Sequence, residues 1–101
     1  MAHRVIHLRI FERCGAMQDS VLAIGGSVLV VPQFTLLATC DKGHRPSFLD
    51  GMPPEQAASL FDHFVLCLEQ GLGRAVETGR FGEDMQVSLI NDGPATFILE
   101  N

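Results

Sequence analysis

Residues Ser27–Ala38 read SVLVVPQFTLLA. Ser27 to Val31 is an uncharged run dominated by valine, which favours extended backbone. Leu36, Leu37 and Ala38 resume the apolar character after Gln33, Phe34 and Thr35. A strand apolar on both faces must be covered on both faces, so the reading is a central strand. Pro32 cannot donate a ladder hydrogen bond, so the ladder is expected to end or bulge beside it. A ladder broken next to a buried strand leaves backbone N–H groups free to bind something else, which makes this stretch the first candidate for a site.

Upstream, Gly25-Gly26 is a turn signal leading into this strand, and Met17 to Ile24 alternates weakly enough to suggest another strand. Gly15 marks a turn. His3 to Phe11 reads as a short helical piece running into an extended one, and no N-cap residue precedes Val5. Downstream, Cys40 to Phe48 (CDKGHRPSF) is a polar loop holding Lys42, His44 and Arg45. It reads either as a solvated loop or as a phosphate grip, since Lys and Arg beside Gly can approach a phosphate backbone closely.

Pro53-Pro54-Glu55 is a helix start, with proline and an acid in the first turn. Ala57, Leu60, Phe61, Phe64, Val65 and Leu68 recur at helical spacing, giving an amphipathic helix that should lie on the sheet. Gly71 and Gly73 are expected to stop it. His63 and Glu69 fall on its outer face with no specific task, and Cys67 reads as a small core residue. Val76 to Asp84 reads as a glycine-punctuated loop. Gln86 to Ile90 and Thr96 to Leu99 read as two strands of a hairpin around Asn91-Asp92-Gly93-Pro94-Ala95. An X-Pro bond is cis in only about 5–6% of cases, so composition reads Gly93-Pro94 as an ordinary turn.

The chain has 101 residues, 47% of them hydrophobic, consistent with one small domain spanning 1–101. No apolar run reaches the ~18–20 residues of a membrane span, and MAHRVIHLRIFERC lacks the pattern of a signal peptide. Cys14, Cys40 and Cys67 are an odd number without CxxC spacing, which fits a reducing, cytoplasmic setting. The net charge of −5 argues against a general nucleic-acid coat, and no DNA or membrane partner is expected. It leaves room for a protein that grips only one end of a nucleic acid.

His3, His7, His44 and His63 form no ligand cluster beyond the His3/His7 pair at i, i+4, so no metal and no cofactor are expected. No GxSxG elbow, GxGxxG or Walker loop is present. Thr35 is the hydroxyl in the most unusual context, although Thr is also an ordinary strand residue. Without an acid, base or metal, chemistry must come from backbone donors and from the substrate.

Pro32-Gln33-Phe34-Thr35-Leu36 resembles the SQFTL signature of the D-aminoacyl-tRNA deacylases, and Asn91 to Thr96 resembles their NxGPxT signature. Lys42 to Phe48 (KGHRPSF), the PPE helix start and Glu77 to Gly82 (ETGRFG) match in order and spacing. The resemblance spans essentially the whole chain. It implies an α+β fold: a mostly antiparallel mixed sheet with one main amphipathic helix packed on it. It also implies a metal-free homodimer that hydrolyses the ester between a D-amino acid, or glycine, and the 3′-terminal adenosine of tRNA.

On that resemblance Gln33, Phe34 and Thr35 line the catalytic pocket with their backbone N–H groups, and Pro32, Asn91, Gly93, Pro94 and Thr96 contribute to substrate binding. The adenosine 2′-hydroxyl would assist an attacking water. Gly93-Pro94 would be cis and enter the partner's pocket, where it leaves no room for an L side chain. Lys42 and Arg45 would meet phosphates of the tRNA 3′ end. Two departures stand out. The family's members begin about a third of a domain earlier, with two strands, most of a helix and an arginine that braces the Gly-Pro loop; without them the middle strand should lack a neighbour and expose apolar surface. Pro32 stands where the signature has Ser, as in a sister group acting on mischarged L-aminoacyl-tRNA. The alternatives are therefore that sister activity, or a non-catalytic remnant that dimerises or binds tRNA ends.

Overall fold

The structure is a computed structural model describing residues 1–101. Helix α1 (Ala2–His7) opens the chain. Strands β1 (Phe11–Arg13) and β2 (Ala16–Asp19) pair antiparallel around Cys14 (φ 55°) and Gly15 (φ 82°). Two consecutive left-handed residues make the tight hairpin turn whose twist suits its flanking strands. Arg13 Nε donates to Asp19 Oδ1 at 3.1 Å across this hairpin.

The strand expected over Met17–Ile24 stops at Asp19. Ser20 is the cause: its Oγ accepts the Ala23 N–H at 3.1 Å and its carbonyl accepts that of Ile24 at 3.1 Å. A side-chain acceptor that captures nearby N–H groups favours a turn over a ladder.

Strand β3 (Leu29–Val30) pairs in parallel with β4 (Glu77–Thr78). The ladder runs from Glu77 N–H on Val28 O (3.1 Å) to Gly79 N–H on Val30 O (2.8 Å) and ends before Pro32. The rest of the expected strand differs: Phe34–Leu37 is a 3₁₀ turn, and β3 has a single neighbour. Leu29 is accordingly half exposed rather than covered on both faces. Strand β4 lies where a loop was expected. Two residues are too few to show a period, so only the tertiary pairing defines it.

Helix α2 (Pro54–Leu72) begins as expected and ends at Gly73 (φ 74°), whose N–H caps Glu69 O at 2.9 Å. Gly71 is not a stop but lies inside the helix. A Cβ there would sit 2.6 Å from Ile6 Cδ1, so its bare Cα lets α1 pack closely on α2. The core is Ile6, Val21, Leu68 and Leu72, flanked by Val28, Val30, Phe64 and Val76. Leu60 lies outside it, more than half exposed, so the apolar stripe of α2 is buried mainly in its C-terminal half. Glu69 has a task after all: its Oε1 accepts the Val76 N–H at 3.4 Å, joining α2 to the segment that enters β4. His63 Nε2 lies 3.6 Å from Cys67 Sγ on the outer side of the helix.

Residues 85–101 contain no strand, so the expected hairpin does not form. Pro94 brings no N–H to a ladder, and the Asn91 side chain takes the Ala95 N–H, so the turn uses the donors a hairpin would need. The architecture remains α+β: one main helix, a short second helix, and antiparallel and parallel strand pairs.

Candidate active site

Pro32 ends the β3 ladder and turns the chain into Gln33, the N-cap of the 3₁₀ turn. The first N–H groups of a helical turn have no intrahelical acceptor. Those of Phe34 and Thr35 fall in this class and take no other backbone acceptor. Two adjacent donors on exposed residues are therefore left without a backbone acceptor, which is what a carbonyl oxygen gaining negative charge requires. Within the turn, Leu36 N–H reaches Gln33 O at 3.4 Å and Ala38 N–H reaches Thr35 O at 3.1 Å.

The Gln33 amide donates to Thr35 Oγ1. The hydroxyl oxygen is thus an acceptor here, and no His, Asp, Glu or Lys hydrogen-bonds to it as a base would. Phe34 is 60% exposed and meets Phe48 edge-on, with ring centroids 5.3 Å apart. Phe48 was not singled out by the sequence; its signal lies only in its place at the end of the polar loop.

That loop closes through the Thr39–Ser47 pair, with reciprocal backbone bonds of 2.8 and 2.9 Å, and through Thr39 Oγ1 donating to Asp50 Oδ2 at 3.4 Å. Lys42, His44 and Arg45 lie on it, all exposed. The chain's ion pairs, Arg13–Asp19 and Arg80–Glu83, involve neither Lys42 nor Arg45, so both keep their charge for a partner. The loop departs from the same turn that holds the free donors, and the Phe34–Phe48 contact joins its far end back to that turn.

The Gly93-Pro94 bond is cis, in place of the ordinary turn that composition suggested. Asn91 Oδ1 accepts the Ala95 N–H at 2.9 Å and closes the loop around it. Gly93 has φ +129°, a backbone region that side chains rarely adopt, and a Cβ there would lie 3.3 Å from Ala95 N. Asn91 to Thr96 are all exposed, and the hydrogen bonds of this loop and of the donor turn are local to each. The chain therefore brings Gln33, Phe34 and Thr35 together at one place and Asn91, Gly93, Pro94 and Thr96 at another, with no bond between them. No cluster of three or more His, Cys, Asp or Glu side chains is placed to hold a metal.

Comparison with known proteins gives one consistent result. A family model described as D-Tyr-tRNA(Tyr) deacylase matches residues 1–100. The D-aminoacyl-tRNA deacylase of Chlorobaculum tepidum is 53% identical over 102 residues, spanning 100% of this chain and 68% of that protein. That of Cronobacter sakazakii is 54% identical over 101 residues, spanning 99% of this chain and 69% of its own length. Among solved structures, the "c-Myc DNA Unwinding Element Binding Protein" superposes with a TM-score of 0.89 at 35% identity, over 99% of this chain and 68% of that one. The chain thus spans about two thirds of the length of the proteins it is similar to.

Proposed function

This chain belongs to the D-Tyr-tRNA(Tyr) deacylase family, and from that membership we propose that it hydrolyses the ester bond of D-aminoacyl-tRNA, working as a homodimer. The pair of unpaired N–H groups at Phe34 and Thr35, just past the proline that ends β3, is the observation that carries the reading. They can donate to the ester carbonyl oxygen as it becomes an oxyanion. Water adds to the carbonyl carbon, aided by the 2′-hydroxyl of the terminal adenosine. The attacking water gives up one proton, and as the bond to the 3′-oxygen breaks, that oxygen takes it. The products are a free amino acid and tRNA with its 3′-hydroxyl restored. No side chain of the turn needs to act as an acid or base.

In the proposed dimer the Gly93-Pro94 loop of one protomer reaches the donor turn of the other. Its carbonyls accept from the substrate's amino group, and the loop fills the volume an L side chain would need. A D side chain points outward and glycine has none, so both esters are substrates. Lys42 and Arg45 take phosphates of the tRNA 3′ end, which reconciles an acidic protein with an RNA substrate. No helix is long and apolar enough to cross a membrane.

The test is paired deacylation. The purified chain is given D-tyrosyl-tRNA, glycyl-tRNA and L-tyrosyl-tRNA, and amino-acid release is followed against buffer. Release from the first two with the L-ester spared is the expected result. No release above buffer from any ester overturns the enzymatic reading, and preferential release of the L-amino acid assigns the sister activity that Pro32 otherwise suggests.

A further inference from the structure

We infer that Gly79 and Met85 are positioning residues: together they form the fixed point from which both the donor turn and the Gly93-Pro94 loop depart. The consequence for catalysis rests on the reaction proposed above; the geometry does not. Gly79 makes the last rung of the parallel ladder, its N–H on Val30 O at 2.8 Å. A Cβ at Gly79 would lie 2.9 Å from Met85 Sδ, 3.3 Å from Pro32 Cδ and 3.4 Å from Val31 Cγ1. A side chain there would have to displace the Met85 thioether and press on the rigid Pro32 ring. The Pro32 ring and the Met85 thioether both border the space that a Cβ on Gly79 would occupy. Met85 Sδ also accepts the Arg80 N–H at 3.2 Å, which folds the 80–85 loop back over Gly79.

Burial marks where this contact stops. Val31, Pro32, Gly79 and Met85 are all half-buried, whereas Gln33–Leu37 and Gln86–Ile90 are exposed. The donor turn begins one residue after Pro32. The segment that carries Asn91 to Thr96 begins one residue after Met85. The donor turn and the segment leading to the Gly93-Pro94 loop therefore leave the packed part of the protomer at the same place. Pro32 is part of that contact because its ring, with φ fixed, lies where Gly79 leaves room. A side chain on Gly79 would tilt the turn away from the ester without touching tRNA.

Gly79→Ala, Met85→Ala and the double variant test this. Gly79→Ala is expected to lower kcat on D-tyrosyl-tRNA at least tenfold with KM within about twofold. Shortening Met85 makes room for the added methyl, so the double variant should recover at least threefold in kcat over Gly79→Ala. A parent-like kcat for Gly79→Ala, an effect confined to KM, or a double variant no better than the single overturns the inference. A second readout is independent of turnover. In the full chain, backbone amide resonances of Gln33, Phe34 and Thr35, and of Asn91 and Gly93, should move together in Gly79→Ala and return towards parent in the double variant. Resonances that stay in place overturn the inference even if the parent hydrolyses no ester, whereas an inactive parent with coupled shifts overturns only the proposed reaction. Should Gly79→Ala not fold, Met85→Ala alone empties the space beside Gly79 that the added methyl fills in the double variant, and the same two sets of amides must shift in it.

Discussion

Replacing Thr35 by Ala separates chemistry by the backbone from chemistry by the side chain. The Thr35 hydroxyl oxygen accepts from the Gln33 amide, and no basic side chain is bonded to it. What the substitution removes is one exposed hydrogen bond that orients Gln33, a contact of about 0.5–1.5 kcal/mol. At 1.36 kcal/mol per factor of ten, that is a loss of about 2- to 13-fold in kcat/KM. The N–H groups of Phe34 and Thr35 belong to the main chain and survive the change. A nucleophile would behave very differently, since its removal costs about 10⁴-fold or more when the residue forms the covalent bond. Single-turnover release of labelled D-tyrosine from D-tyrosyl-tRNA, with enzyme in excess, reads the chemical step directly. A fall beyond about 10³-fold would refute the assignment of catalysis to main-chain donors and make the Thr35 hydroxyl the nucleophile.

Gly93→Ala should cut the ratio of D- to L-tyrosyl-tRNA hydrolysis about tenfold, because φ +129° is strained for alanine and the added Cβ crowds Ala95 N; parallel assays on the two stereoisomers check it, and an unchanged ratio counts against the loop as the chiral wall. Lys42→Ala and Arg45→Ala should raise KM with little effect on kcat. Each should also flatten the salt dependence of tRNA binding by about 0.7 in the logarithmic slope, the value for one phosphate contact on a single strand. Leu68→Ala empties the one fully buried large side chain and should lower unfolding free energy by about 2–5 kcal/mol in urea titration.

Different parts of the fold were legible for different reasons. The helix over Pro54–Leu72 could be read because its signals are local: Pro-Pro-Glu at one end, glycine at the other, and an apolar stripe between. The end of the β3 ladder at Pro32 could be read because a missing N–H is a property of one residue. Strand β4 could not, since Glu77 and Thr78 become a strand only when Val28 and Val30 offer their carbonyls. The Ser20 turn and the Asn91–Ala95 closure were missed because in both a side-chain oxygen competes for a backbone donor. That competition is decided by geometry rather than by periodicity. In the site, the donor turn was visible as a broken apolar run. The cis Gly93-Pro94 bond was not visible in composition and came only with the family resemblance. Nothing in the spacing pointed to Met85, whose thioether lies where a side chain on Gly79 would reach.

The surface of the chain bears on the proposed dimer. A folded monomer of 11.0 kDa exposes about 5,600 Å², by the usual scaling of area with mass. This chain exposes 8326 Å² and has a radius of gyration of 15.6 Å, against about 13 Å for a compact domain of its length. The excess of about 2,700 Å² is more than three times what one partner buries in a standard interface, about 800 Å², so a second copy would account for only part of it in a chain that spans about two thirds of its relatives' length. It includes both functional segments. Phe34, Leu36 and Leu37 at the donor turn, and Leu89, Ile90 and Ile98 around the Gly93-Pro94 loop, are each more than half exposed. Neither segment is held by the core of its own protomer, yet each carries apolar residues that water disfavours. If the loop of one copy covers the turn of the other, one contact removes part of this apolar area and completes the pocket. Association and catalysis would then share residues, and truncating Leu36 or Ile90 should raise the concentration at which dimers form and depress activity most in dilute enzyme. Sedimentation and deacylation measured over the same dilution series connect the two: activity that persists in a sample shown to be monomeric would separate them and leave the shared pocket without support.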